Sequence, residues 1–165
     1  MCNYRCSERE SRRKRGAKID PVGYDAGKKV KGIKRHAAVD TLGLLIGLDI
    51  TAADVQDRDG CIPMLKKVQR QFPFLEVIIA DGGYQGVETA AAVYRAAKAP
   101  LQIIKRSDSA KGFEVLPKRW IVERTFGWLG RCRRLAKDFE NLTRSKVAFV
   151  KLAMIRLLIR RIARS

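Results

Sequence analysis

Two carboxylates stand out in this sequence by where they fall. Asp81 closes the short apolar run Leu75-Glu76-Val77-Ile78-Ile79-Ala80 and is followed by Gly82-Gly83-Tyr84, whereas Glu123 lies in KRWIVERTFGWLGRCRRL, a stretch otherwise basic and apolar. Phosphoryl transfer assisted by two divalent ions needs carboxylates delivered from separate elements, one ion activating the attacking oxygen and the other the leaving oxygen. A strand-end carboxylate followed by glycines stands where open α/β sheets build their sites. Gly82 and Gly83 leave room for a phosphate or a metal, and Tyr84 is placed to stack on a ligand or position it. Each acid also has an ordinary structural reading. Asp81 can open a glycine turn, and Glu123 can pair with Arg119, four residues earlier on the same helical face, in an ion pair that is weak when exposed.

Other chemistries have little support. The single histidine, His36, lies in a basic segment, which argues against a Ser-His-Asp arrangement or a multi-histidine metal site. The four cysteines Cys2, Cys6, Cys61 and Cys132 are scattered and lack zinc-site spacing. Carboxylates must therefore carry any metal chemistry.

The elements that would position these acids can be read from periodicity. Residues 1–27 are charged, hold turn formers such as Pro21, Gly23 and Gly27, and have no sustained apolar period, so they read as an extended or disordered basic arm outside the core. Residues 28–165 then form the folded part. Two β-type runs around Asp40-Thr41-Leu42-Gly43 predict a hairpin, with Val39, Leu44, Ile46, Leu48 and Ile50 at apolar strand positions. A helix follows, with Ile62, Leu65 and Val68 at steps of three and Pro63 in its first turn. The run before Asp81 has the pattern of a strand covered on both faces. After it come an alanine-rich helix, a strand at Leu101–Ile104, a helix from Pro117 through Phe139, and a last helix from about Ser145 to Arg164. The class is α/β.

Thirty-five Lys plus Arg against seventeen Asp plus Glu give a net charge of +18. That exceeds what solubility asks for and points to a polyanion, nucleic acid before membrane, because DNA rewards a widely spread basic surface. A solvated basic shell on a structural protein is the plainer account. No run approaches a membrane span and the N-terminus has no apolar signal-peptide region, so the expected location is cytoplasmic. Phosphate contacts are assigned to Lys28, Lys29, Lys31, Lys34 and Arg35 on the hairpin, and to Arg131, Arg133 and Arg134 after Glu123. On the last helix Arg156, Arg160 and Arg164 share one side, opposite Val147, Met154, Leu158 and Ile162. Direct DNA contact and a solvated amphipathic face account for those arginines equally well.

Taken together, YDAGKKVKGIKRHAAVDTLGLL, IIADGGYQG and RWIVERTFGWLGRCRRL resemble the bacterial insertion-sequence transposases of the insertion-sequence-five group, within the DDE superfamily. The resemblance runs from Gly23 to the C-terminus. It implies a ribonuclease-H-like mixed sheet flanked by helices, and Mg²⁺ (or Mn²⁺) held by Asp81 and Glu123. It also implies Arg119 as the motif arginine that contacts DNA or steadies the glutamate, cleavage of phosphodiester bonds with strand transfer into target DNA, and a homodimer. Two departures accompany it. Gly130 stands where the family often has a basic residue, with Arg131 beside it. The apolar strand that carries the family's first catalytic aspartate has no counterpart in MCNYRCSERESRRKRG, and Asp20, Asp25 and Asp40 are the acids left in the first half. The chain thus reads as an N-terminally truncated transposase whose sheet lacks its first strand, leaving an unpaired edge that weakens the fold. The alternative is a non-catalytic nucleic-acid-binding protein or an inactive transposase remnant.

Overall fold

The computed structural model describes residues 2–10, 19, 20, 22–104 and 118–164. Within them one mixed sheet is covered by helices on both faces. Its strands are β1 (Cys2–Glu10), β2 (Gly23–Asp25), β3 (Val30–Val39), β4 (Leu45–Ala52), β5 (Ile78–Asp81) and β6 (Leu101–Ile104). Its helices are α1 (Asp57–Gln71), α2 (Val87–Ala97), α3 (Arg119–Gly130) and α4 (Thr143–Ile162).

Cys2–Glu10 is a strand where a disordered arm and a missing first strand were expected; residues 1, 11–18 and 21 of the expected arm lie outside the described residues. Cys2–Glu10 form β1, which is interior to the sheet: it runs antiparallel to β3, from Asn3 opposite Val39 to Glu10 opposite Gly32, and parallel to β5, with Cys2 opposite Ile78 and Asn3 opposite Ile79. The described fold therefore includes Cys2–Glu10 and Gly23–Asp25 as well as elements after residue 28. The strand is hard to read because its alternation is short: Cys2, Tyr4 and Cys6 alternate with polar residues, but Glu8, Arg9 and Glu10 are all charged. Ladder hydrogen bonds come from the backbone, which every non-proline residue supplies.

β3 is the axis of this sheet. Gly32 pairs with both Glu10 and Gly23, and Ile33 with both Arg9 and Ala52, so β2 and β4 occupy successive stretches of the β3 edge opposite β1. β5 and β6 extend the other side in parallel. The β3–β4 hairpin forms as its sequence predicts. Asp40 closes it by accepting from Leu42 N (2.9 Å) and Leu44 N (2.8 Å), and Gly43 takes the left-handed conformation at φ +82° that a side chain would oppose.

The helices cover the sheet in two pairs. α1 and α2 bury Cys61, Met64, Leu65, Val68 and Val93 with Ala38, Ile78 and Ala80 of the sheet. α3 and α4 cover the other face, with Ile121 and Val122 on Val39, and Leu129, Val150 and Met154 beside Leu45 and Leu48. Helix α1 starts at Asp57, so Pro63 falls in its second turn and not its first. The lost interior N–H is tolerated because the surrounding Cys61, Met64, Leu65 and Val68 are fully buried. The helix expected from Pro117 to Phe139 ends at Gly130 and gives way to a 3-10 turn at Arg133–Leu135. Gly130 favours the break, and the turn lets Leu135 join Leu129 in the core beneath α4. Ile162, expected on the packed side of α4, is 73% exposed. No helix of the described residues is long and apolar enough to cross a membrane.

Lys34, Arg35 and His36 are consecutive, basic and buried. His36 bonds Thr51 Oγ1 through Nε2 at 2.8 Å and lies against Gly60, where a Cβ would come within 2.4 Å of the ring. Burial, with a smaller contribution from the Lys34 charge, pushes its pKa down to about 4 against the pull of Asp57 and Asp49. The folded ring stays neutral while the unfolded one takes a proton near pH 6.5, so its contribution to stability is full above pH 6.5 and is lost as pH falls to about 4. That interval corresponds to about 3 kcal/mol. Acidification across it should lower the melting temperature of the parent more than that of His36→Gln; equal losses in both proteins would show that His36 does not carry the effect.

Candidate active site and basic surface

Asp81 is the last residue of β5 and the cap of the 3-10 turn Gly82–Tyr84. Its Oδ1 accepts from Gly83 N at 3.1 Å, so the turn-opening reading holds and one carboxylate oxygen is engaged in it. The side chain is half-buried at the strand end. Tyr84, expected to stack on a ligand, instead is buried among Cys61, Leu65 and Val93. Its ring is used for packing between β5, α1 and α2.

Glu123 is exposed on the second turn of α3, next to Ile121 and Val122, which the sheet buries. α3 lies against β1, β3 and β5. The helix carrying Glu123 thus rests on the strand that ends in Asp81 and on the strand beside it. Arg119 opens α3 one turn before Glu123. Counting on from the Asn3–Ile79 pair, the β1 position level with Asp81 is Arg5.

Two residues that hold α3 in place were not singled out from the sequence. Thr125 is fully buried, and its Oγ1 donates to Gly43 O (2.7 Å) or to Ile121 O (3.1 Å). Arg124 donates from Nη2 to Leu42 O (2.9 Å), and its guanidinium lies 4.4 Å from the Trp120 ring centre and 4.7 Å from that of Trp128. The hairpin turn is thereby tied to the helix that bears Glu123. A signal was present: Trp120, Arg124 and Trp128 recur at steps of four, one stripe of a helix.

The three other acids considered for a metal are used in structural bonds. Asp25 Oδ1 accepts from Gly27 N and Lys28 N, and its Oδ2 pairs with Lys34. Asp40 closes the hairpin. Asp20 accepts from Thr143 N and caps α4, while its own N–H donates to Asn141 O. Among the described residues no group of three or more His, Cys, Asp or Glu is placed to hold a metal ion.

The basic residues divide into two sets. Lys28, Lys29 and Lys31 are exposed around the β2–β3 turn, and Arg131 and Arg133 are exposed after α3. Lys34 and Arg35, assigned to phosphate contact, are buried, which is a correction. Lys34 Nζ reaches Val55 O (2.9 Å), Asp57 (3.1 Å) and Asp25 (3.3 Å). Burial alone would lower its pKa, but Asp57 and Asp25 together outweigh that and raise it. Arg35 donates from Nη1 to Leu135 O at 3.0 Å, beneath the 3-10 turn. A buried cation is retained only where partners replace its water. Arg134 is exposed but pairs with Glu140 and lies over the Phe149 ring at 5.0 Å, so it also serves the 131–142 segment. Arg156, Arg160 and Arg164 are all exposed.

The fold has a solved counterpart. It matches a chain of the simian T-cell lymphotropic virus intasome in complex with the PP2A regulatory subunit B56 gamma, at a TM-score of 0.54 and 16% identity, over 93% of this chain and 46% of that one. Among curated proteins, the putative transposase for insertion sequence element IS402 of Burkholderia cepacia is 30% identical over 128 residues, 73% of this chain and 60% of that protein. This chain thus spans about three-fifths of that relative's length. A family model described as the transposase DDE domain matches residues 5–158, and the chain belongs to that family.

Because Thr125 ties α3 to the hairpin, Thr125→Val should leave the Gly43 carbonyl buried without its donor and destabilise the protein by about 1–3 kcal/mol. Chemical denaturation measures this; a variant as stable as the parent would mean that the bond to Gly43 does not hold the helix.

Proposed function

We propose that this chain is the catalytic core of an insertion-sequence transposase of the insertion-sequence-five group, built on a ribonuclease-H-like sheet. It would act on DNA by metal-dependent phosphodiester cleavage and strand transfer. The observation that carries the reading is the seating of α3 across β1 and β5, which brings the helix of Glu123 onto the strand that ends in Asp81. The sheet order, antiparallel β4, β3 and β1 followed by parallel β5 and β6, supports it.

The donor chemistry fits a hard divalent cation, because carboxylate oxygens suit Mg²⁺ or Mn²⁺. Asp81, with Oδ2 left over from the Gly83 bond, and Glu123 are the residues that would hold it. When bound, the ion would supply charge neutralisation at the scissile phosphate. The chain's own residues would do the rest. The ladder of β5 fixes Asp81, the Thr125 and Arg124 bonds fix α3, and Arg119, opening that helix, is assigned to steadying Glu123 or contacting DNA. Lys28, Lys29, Lys31, Arg131 and Arg133 would hold the phosphate backbone without reading sequence. A homodimer in the cytoplasm, where its DNA substrate lies, completes the proposal.

A second reading, nucleic-acid binding without catalysis, is favoured by one observation: the β1 position level with Asp81 is Arg5, not an acid. Nicking of supercoiled plasmid DNA in Mn²⁺ separates the two. If the carboxylates act, Asp81→Asn and Glu123→Gln should each lower the rate on the order of 100-fold, the equivalent of about 3 kcal/mol, and Arg5→Asp should raise it. Nicking by both variants at the parent rate would remove the catalytic assignment and leave the binding reading.

A further inference from the structure

The carboxylates and the β2–β3 turn leave one strongly charged feature of the molecule unexplained. Trp128 and Arg131 at the end of α3, with Arg156, Arg160 and Arg161 on the last turns of α4 and Arg164 just beyond it, line a cleft of about 350 Å³. That is on the order of ten water volumes, enough for a phosphodiester and its sugar. Arg161 lies over the Trp128 ring at 4.3 Å from its centre, and Arg124 contacts the same ring at 4.7 Å.

We propose that this cleft is a phosphate-binding site for the backbone of DNA, separate from Asp81 and Glu123. A merely solvated basic helix spaces acids among its cations at steps of three or four, which offsets their repulsion. α4 does not: beyond Glu140 the chain contains no Asp or Glu. No salt bridge among the described residues engages any of the five cleft arginines. Converging guanidiniums without a counter-charge are unfavourable until an anion enters, and guanidinium forks match phosphate oxygens in pairs. The indole between α3 and α4 carries Arg161 at 4.3 Å and Arg124 at 4.7 Å from its ring centre, so it holds guanidiniums at the cleft rather than offering a face to a base. Trp128 stands five residues after Glu123 on the same helix, a rise of roughly 7–8 Å. The site deepens the reading of the chain as a transposase core, for it would hold DNA next to the cleavage point, yet it needs neither carboxylate nor metal.

The test is binding of a labelled DNA duplex to the full chain in EDTA, read by anisotropy over a range of salt. With Arg156, Arg160 and Arg164 all changed to Ala, the slope of log K against log salt should fall by about 2.7, three phosphates at ~0.9 each. The single variant Arg160→Glu, on an exposed turn, should lower it by at least about 0.9 and serves if the triple variant melts early. In a Trp120→Phe protein, Trp128 is the only indole, and its emission should shift when DNA binds. An unchanged slope in both arginine variants, or DNA binding with no change in Trp128 emission, overturns the site. The binding is read in EDTA on arginine variants that keep both carboxylates, so loss of this slope and loss of nicking in Asp81→Asn report on different claims.

Discussion

The backbone ladder between β1 and β3 is the constraint on which the rest of this molecule depends. β1 joins two halves of the sheet that would otherwise not meet, the antiparallel β3–β4 hairpin on one side and the parallel β5–β6 pair on the other. Without it Asp81 would end a strand belonging to a separate two-stranded piece, and α3 would have no continuous surface to lie on. The ladder makes no demand on side-chain type, which is why a strand as polar as CNYRCSERE can occupy the middle of the sheet.

Around that ladder the molecule handles an excess of positive charge in two ways. Where cations lie inside, each has replacement partners: Lys34 between two aspartates and a carbonyl, Arg35 on the Leu135 carbonyl, Lys146 3.3 Å from Asp138. These contacts also clamp β2, α1 and the segment before α4 onto the sheet, and removing one partner would leave a buried charge uncompensated. Where cations lie outside, at the β2–β3 turn and on α4, acids are sparse and the charge faces solvent or a polyanion.

The position of α3 follows from packing and not from its own propensity. Ile121 and Val122 pull it onto Val39, Thr125 and Arg124 fasten it to the hairpin turn, and Gly130 ends it so that the chain can turn back under α4. Glu123 is left on the exposed side of a helix held at several points. These contacts fix the backbone that carries Glu123, while its exposed side chain keeps its own rotamer freedom.

The sequence by itself determined the hairpin around Asp40, α2, β6, the strand ending at Asp81 and the approximate span of α4, because in each the local pattern and the tertiary surroundings agree. It also singled out a strand-end acid and a helix-borne one, Asp81 and Glu123, as the candidates for a site, through residue types at motif spacing. Only the tertiary structure decided that Cys2–Glu10 is a strand, because the alternation of Cys2, Tyr4 and Cys6 stops at the charged Glu8–Glu10 and the pairing that continues the strand is made by backbone groups. It alone decided that Lys34 and Arg35 are interior and that Tyr84 packs rather than stacks, because alternation along a strand says that faces differ but not what covers each one. Asp20, Asp25 and Asp40 were equivalent as acids in the sequence, and became a helix cap, an ion-pair partner and a turn closure once the chain folded. A carboxylate's role is set by the donors that reach it, and those come from residues far away along the chain.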